Sequence, residues 1–267
     1  MTATLAPVFF ISHGAPTFAI EPGQLGPRLG EIGAQLEGVR AILVVSPHWQ
    51  TRQLEVMTTA EPETIHDFGG FPAELYRLQY PAHGAPAIAE TVARSLTEAG
   101  WPVRTDNQRG LDHGTWVPLM HMRPAADIPV FQVSLPLAMD ARLSLALGGA
   151  LAQLREQGVA IIGSGSMTHN LYEFRGGAGP TAPYVTAFTE WVRNAVSRRD
   201  LEALADYRKR APHAERAHPT DEHFLTLLVA VGATRPDERC ELLTDEVNYG
   251  MLSMESYGWG LPVGAVH

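Results

Sequence analysis

The sequence predicts a single α/β domain over residues 1–267, with a mostly parallel or mixed central sheet flanked by helices. Short, β-branched apolar runs alternate with longer stretches of helical periodicity. The apolar runs are continuous rather than alternating, as in strands that are buried on both faces. Hydrophobic residues make up 45% of the chain and charged residues 18%, which is enough for one sizeable core. No repeat or low-complexity tract divides the chain.

The first half of the chain supplies three strands and two helices in order. The apolar runs Pro7–Ile11 and Ala41–Ser46 predict buried strands, and Glu55–Thr59 predicts a weaker one. The spacing over Leu25–Leu36 predicts a helix. Pro86–Ala99 predicts a second helix, because it begins with proline and a glycine follows its end.

The second half continues the alternation. Ile128–Leu135 and Val159–Gly163 predict strands, and Ala141–Gln157 between them predicts a helix. The Gly/Pro-rich stretch Gly176–Pro183 could be a linker, but we interpret it as a loop near the site because a helical pattern follows at once. The remaining predicted elements are helices over Pro183–Ser197, Leu201–Arg210 and Asp221–Val231, the last with Thr220 as N-cap, and terminal strands over Glu241–Val247 and Leu252–Ser256.

Charge and cysteine content exclude several functions. The net charge of −9 argues against nucleic acid or an anionic membrane surface as the main partner. Cys240 is the single cysteine, so neither an intrachain disulfide nor a cysteine-based metal site is possible. The first residues lack a basic segment, and the apolar run Val8–Ile11 is too short for a signal peptide or a membrane span. We therefore expect a soluble cytoplasmic protein.

Three histidines follow predicted strands directly or within a few residues. His13 comes after the first strand, His48 after the second, and His169 after Val159–Gly163. Ligands of open α/β sheets bind outside the carboxyl ends of the strands, so these side chains are expected to meet there. Neutral imidazole is the commonest side-chain metal ligand and suits zinc and iron. The placement predicts a metal site at this edge.

A fourth histidine lies at the start of a predicted helix. With Thr220 as N-cap, His223 is the third helical residue, where the helix dipole disfavours a charged imidazolium. Its neighbour Glu222 could supply the carboxylate of a two-histidine, one-carboxylate iron site, or it could simply stabilise the helix N-terminus. The two side chains differ by about 100° around the helix, so we expect only one to face the metal.

Two further histidines lie in turn-rich segments, and each could bind a polar substrate group or a backbone atom. His66 lies in TIHDFGGFP and His113 in GLDHGTW. The other five carry no comparable context and are interpreted as surface or packing residues: His83, His121, His213, His218 and His267.

Six ordered motifs, which run nearly end to end, resemble those of the class III extradiol ring-cleavage dioxygenases. The similarity is to the DOPA 4,5-extradiol dioxygenase branch and, more distantly, to the catalytic subunit of protocatechuate 4,5-dioxygenase. The motifs are ISHGAPT (Ile11–Thr17), VVSPHW (Val44–Trp49), TIHDFGGFP (Thr64–Pro72), LDHGTW (Leu111–Trp116), GSGSMTHNL (Gly163–Leu171) and PTDEHFLTLL (Pro219–Leu228).

The resemblance implies a metal held by His13, His48 and His223. It implies that His169 acts as acid/base, or as a fourth ligand when zinc occupies the site. Distant class III relatives use a glutamate as third ligand, and this branch uses the histidine, so the resemblance favours His223 over Glu222. It also implies Fe(II) for activity, and Zn(II) remains plausible in the purified protein because zinc binds nitrogen-rich sites more tightly.

The resemblance also implies the substrate side of the site. His113 matches a catalytic position that supports the site or contacts the substrate, and His66 and Asp67 belong to a loop over the substrate. The expected partners are a small catechol, DOPA-like, and O₂, with the protein a monomer or homodimer. Two other functions stay open at this point: a zinc-dependent hydrolase, and a non-enzymatic binding protein on the same fold.

Overall fold

The computed structural model describes residues 5–174, 176–177 and 179–261, so His267 lies outside the described residues. Within them the strands are β1 (Val8–Ser12), β2 (Ala41–Val45), β3 (Gln50–Thr51), β4 (Leu54–Met57), β5 (Val103–Asp106), β6 (Val130–Gln132), β7 (Leu135–Pro136), β8 (Val159–Gly165), β9 (Cys240–Thr244), β10 (Val247–Asn248), β11 (Leu252–Ser253) and β12 (Ser256–Trp259).

The helices alternate, singly or as a group, with single strands or groups of strands along the chain. They are α1 (Leu25–Gly33), α2 (Pro86–Glu98), α3 (His113–Met122), α4 (Ala141–Leu151), α5 (Pro183–Ser197), α6 (Leu201–Ala205), α7 (Tyr207–Arg210), α8 (Ala214–Ala217) and α9 (Glu222–Gly232). Short 3-10 helices cover Pro16–Ala19, Leu75–Arg77, Ala152–Gln157 and Leu171–Glu173. No helix within the described ranges is long and apolar enough to cross a membrane.

A six-stranded mixed sheet forms the centre, in the order β6-β2-β8-β1-β12-β9. Strands β6, β2, β8 and β1 are parallel, whereas β12 runs antiparallel to both β1 and β9. Every residue of β1, β2 and β8 is buried, which explains their continuous apolar sequences. This arrangement confirms the predicted fold class. The pairs β3-β7, β4-β5 and β10-β11 form two-stranded sheets beside it.

Several predicted elements are shorter or divided. The predicted helix Ala141–Gln157 is α4 followed by a 3-10 turn, and Leu201–Arg210 is divided into α6 and α7. The predicted strand Ile128–Leu135 is divided into β6 and β7. The prediction of Thr220 as N-cap is wrong: Asp221 occupies that position, and the Thr220 hydroxyl donates to Glu222 Oε1 at 2.9 Å.

Helix α9 lies against β8 at very short range. A Cβ built on Gly163 would lie 2.0 Å from the carbonyl oxygen of Thr226, and one on Gly165 would lie 2.1 Å from that of His223. Only glycine permits this approach of helix backbone to strand backbone. The two glycines therefore place the first turn of α9, with His223, at the carboxyl end of the sheet.

Candidate metal centre

Two histidines that follow the parallel strands on either side of β8 face each other. His13 follows β1 and is 1% exposed, and His48 follows β2 after a two-residue turn. Their Nε2 atoms lie 3.1 Å apart. The strands β1 and β2 both pair with β8, so their carboxyl ends open on the same edge, as the sequence predicts.

His113 reaches the same place from α3. As the first residue of that helix, it is buried, and its ring centroid lies 3.9 Å from that of His48 and 5.4 Å from that of His13. Potential ligand atoms of the three histidines all lie within 4.8 Å of one another. The family resemblance places His113 in the site without making it a metal ligand. The geometry allows His113 to offer a ligand atom to a metal just as His13 and His48 can.

A second group adjoins the first and is made of His169, Glu222 and His223. Their potential ligand atoms also lie within 4.8 Å of one another. The rings of His169 and His223 are stacked, with centroids 3.5 Å apart and an interplanar angle of 14°. The His223 ring lies 5.1 Å from that of His48 and 5.5 Å from that of His13, so the two groups form one cluster.

Outward hydrogen bonds fix how the inner rings are protonated. The Ser164 hydroxyl donates to the carbonyl of Gly114 and therefore accepts from His13 Nδ1–H at 2.9 Å. His113 Nδ1–H donates to Asp67 Oδ1 at 2.9 Å, and His223 Nδ1–H donates to Glu222 Oε1 at 3.1 Å. In the neutral form of each ring, Nε2 then carries the free lone pair that binds a metal.

Burial favours the neutral form of His13, His48, His169 and His223. It lowers the pKa of His13 and His223 well below the usual value, with neighbouring histidines adding to the effect. Burial and His113 lower the pKa of His48 to about 4, against opposing charges on Asp112 and Asp67. Burial also lowers the pKa of His169.

One atom of the cluster lacks a partner that protein groups could supply. His223 Nε2 is buried and has no hydrogen-bond partner among the described residues. A buried polar atom without a partner costs about 1–3 kcal/mol, so an ion bound there would remove a penalty. Neutral imidazoles with oriented outer nitrogens and one orphaned nitrogen fit a divalent transition metal.

The loop that carries His66 and Asp67 lies beside this cluster. The Asp67 carboxylate accepts both the backbone N–H and the ring Nδ1–H of His113, and its Oδ2 lies 4.0 Å from His48 Nδ1. Burial raises the pKa of Asp67, but the hydrogen bonds from His113 outweigh it and lower that pKa to about 2. The Nε2 of His66 is hydrogen-bonded to the carbonyl of Leu78 at 3.0 Å.

Sequence reasoning missed two polar residues that support the cluster. Ser164 is a buried hydroxyl within the apolar strand β8, and that position in GSGS was the available signal. Asp112 is a fully buried carboxylate that caps α3 by accepting the N–H of Thr115. The available signal was a typical N-cap residue directly before a histidine. It can be recognised only when a helix is predicted to begin at His113, and helix α3 was not predicted.

Comparisons with known proteins agree with this geometry. Residues 8–260 match the family described as the catalytic LigB subunit of aromatic ring-opening dioxygenase. A protein of Beta vulgaris named 4,5-DOPA dioxygenase extradiol is 41% identical over 93% of this chain and 94% of its own length. A protein of the same name from Escherichia coli K12 is 36% identical over 96% and 95%.

A solved structure agrees as well. The crystal structure of an uncharacterized protein from Escherichia coli K12 superposes with a TM-score of 0.78 at 30% identity, and it covers 95% of this chain and 99% of that one. The similarity extends over nearly the whole length of both proteins.

Proposed function

Because the chain belongs to the family of the catalytic LigB subunit of aromatic ring-opening dioxygenases and is an extradiol ring-cleaving dioxygenase, we propose that it opens a catechol ring at a non-haem Fe(II). In this proposal His13, His48 and His223 hold the metal. Zn(II) would bind the same nitrogens and give an inactive form. A small aromatic substrate and O₂ are the partners, and the family membership favours this reaction over a zinc-dependent hydrolase or a non-enzymatic binding protein.

The observation that carries this proposal is the facing pair of imidazole nitrogens. The Nε2 atoms of His13 and His48 lie 3.1 Å apart, and the Ser164 hydroxyl holds the outer nitrogen of His13. The free Nε2 of His223 supports the third ligand, and the bond from His223 to Glu222 supports an orienting role for that carboxylate.

The bound metal would lower the pKa of a coordinated hydroxyl and hold the ring and O₂ side by side. The protein would then supply the proton transfers. His169 is half-buried, neutral and stacked on His223, so its free nitrogen can accept a catechol proton and return one later. Asp67 fixes the orientation of His113 against the opposite side of the cluster.

The relatives supply the substrate class. Both relatives described above bear the name 4,5-DOPA dioxygenase extradiol, and we extend only the catechol group and a DOPA-like side chain to this chain. Fold and family do not determine which catechol is physiological. We further propose a monomer or homodimer, which light scattering of the purified protein would test.

The test combines metal content with O₂ consumption. The apo protein is loaded anaerobically with Fe(II) and mixed with a panel of catechols that includes DOPA. We expect Fe(II)-dependent O₂ uptake, a yellow ring-opened product and no activity with Zn(II). His48→Ala should lose both iron and uptake.

His83→Ala is the matched control. His83 is an exposed histidine whose Nδ1 is hydrogen-bonded to Glu61 at 2.9 Å, and it lies outside the cluster. It should retain iron and full activity. Tight metal binding without O₂ uptake for any catechol would contradict the proposal.

A further inference from the structure

A buried carboxylate behind the cluster connects two of the site segments. Asp112 is 0% exposed and lies outside the group of potential metal ligands. Its Oδ1 accepts from the Ser46 hydroxyl at 2.7 Å and from the N–H of Thr115 at 3.2 Å. Its Oδ2 accepts from Gln132 Nε2 at 2.7 Å and from Arg109 Nη2 at 3.0 Å. Four donors satisfy this carboxylate, so its charge is fully compensated within the protein.

Two of these donors also hold the backbone of His48. The Ser46 hydroxyl oxygen accepts the N–H of His48 at 3.3 Å, and Arg109 Nη2 donates to the His48 carbonyl at 3.2 Å. The Arg109 guanidinium also lies over the ring of Trp49, 5.3 Å from its centroid, which restricts its position. Both polar groups of the His48 peptide are therefore fixed by side chains that Asp112 orients.

The same carboxylate fixes His113. Asp112 is the N-cap of α3, so the helix that begins with His113 starts where Asp112 holds it. The close approach needs a glycine at the next position, because a Cβ on Gly114 would lie 2.5 Å from Ser46 Oγ and 3.0 Å from His48 Cδ2. The His48 segment and the start of α3 are thus one packed unit.

We propose that Arg109 and Asp112 are positioning residues for the metal centre, acting on the Nε2 of His48 through its backbone. Neither residue is proposed to contact the metal or the substrate. The inference rests on the proposed function, in which His48 is a metal ligand. It assigns to this buried network the role that outer partners of metal-bound histidines have elsewhere, with effects of about 10–100-fold on metal affinity.

The experiment measures the dissociation constant for Zn²⁺ alone, by chelator competition, together with the thermal midpoint of the apo protein. Arg109→Met removes the bonds to Asp112 and to the His48 carbonyl, and it should weaken Zn²⁺ binding about 10–100-fold. Arg109→Lys restores a cationic donor and should recover part of the affinity. Ser46→Ala removes the hydroxyl from the same network, provides a second and smaller substitution, and should weaken binding in the same direction.

Arg104→Met is the matched control. Arg104 is an exposed arginine on the nearby strand β5, and its replacement should leave both readouts unchanged. A lower apo midpoint with unchanged Zn²⁺ affinity in both Arg109→Met and Ser46→Ala would overturn the proposal, because that result describes a purely structural network.

The outcomes separate this proposal from the proposed function. Weaker Zn²⁺ binding in His48→Ala but not in Arg109→Met overturns the positioning role and leaves the ligand assignment intact. If Arg109→Met binds Zn²⁺ more weakly but the Fe(II)-loaded wild type takes up no O₂ with any catechol, the positioning role is supported. In that case only the proposed ring-cleavage reaction is contradicted.

Discussion

At the scale of single residues, three different side chains orient three histidine rings of the cluster in the same way, with Nδ1 turned outward and Nε2 inward. A serine hydroxyl, an aspartate and a glutamate each accept the Nδ1–H of a histidine, so that in the neutral ring the lone pair lies on the inner Nε2. The charge of the acceptor differs, and with it the basicity that the ring gains. These outer partners should therefore matter for metal binding nearly as much as the histidines themselves.

Glu222 provides the first test. Glu222→Ala removes the acceptor for His223 Nδ1–H and should weaken Zn²⁺ binding about tenfold or more, whereas Glu222→Gln keeps an acceptor oxygen and should cost less. Chelator competition measures both constants. Glu215→Ala, an exposed glutamate on α8, is the control and should bind Zn²⁺ normally. An equally large loss with Gln and Ala would mean that the Glu222 carboxylate is itself a ligand.

Asp67 provides the second. Asp67→Ala removes the acceptor for two N–H groups of His113 and should lower kcat/KM for O₂ uptake by about 100-fold, the lower range for loss of acid/base assistance. Asp67→Asn retains an acceptor oxygen and should keep most activity. Glu63→Ala, exposed in the same loop, should behave as wild type. If Zn²⁺ affinity falls instead of turnover, His113 is a metal ligand.

At the scale of secondary-structure elements, β8 and α9 determine where His223 lies. The glycines of β8 let the helix backbone contact the strand, with Thr226 carbonyl oxygen filling the space of a Cβ at Gly163. Such contacts are rigid, because neither backbone can move without breaking its own hydrogen bonds. The position of His223 is thereby tied to β8, the strand that pairs with both β1 and β2.

Gly163→Ala tests this packing. The added methyl group would meet the Thr226 carbonyl at 2.0 Å, and we expect a loss of about 3 kcal/mol in the free energy of unfolding, measured with urea. Gly149→Ala in α4 is the control. Its nearest contact is the Gly232 carbonyl at 4.0 Å, and alanine favours a helix by up to about 1 kcal/mol. A tolerated alanine at Gly163 would mean that α9 can move away from the sheet.

The elements also explain what the sequence could predict. Strands β1, β2 and β8 are continuous apolar runs, so their carboxyl ends, and with them His13, His48 and His169, could be placed at one edge. Helix α3 was missed because nearly all of its residues are buried, which removes the amphipathic period, and because the interior Pro118 argues against a helix. The contact between His113 and His48 depends on that helix and was therefore inaccessible from the sequence.

At the scale of the whole molecule, the fold buries several neutral histidines in one region. Burial lowers the pKa of His13, His169 and His223, and it lowers that of His48 to about 4. A further ring outside the metal ligands, His218, is fully buried between aromatic side chains, and burial lowers its pKa to about 3. In the unfolded chain each would titrate near its ordinary pKa of about 6.5.

This difference predicts acid sensitivity of the apo protein. Below about pH 6.5 the histidines of the unfolded chain bind protons, whereas the same histidines in the folded protein stay unprotonated. The free energy of unfolding must therefore fall as pH falls. Each such histidine contributes a slope of up to about 1.4 kcal/mol per pH unit, which ends where its folded pKa is reached. The loss should therefore extend from about pH 6.5 to about pH 4 for His48 and further for His218.

His218 allows the slope to be tested away from the metal. Its Nε2–H donates to the carbonyl of Met167 at 2.9 Å, and its ring lies 5.2 Å from Phe224 and 5.5 Å from Phe188. His218→Phe should lower stability at pH 7 through the lost hydrogen bond but reduce the slope between pH 6 and pH 4 by about 1.4 kcal/mol per pH unit. Urea unfolding of apo wild type and variant across this range measures it. Parallel curves would show that His218 is protonated equally in the folded and unfolded states, which would contradict the lowered pKa of this ring.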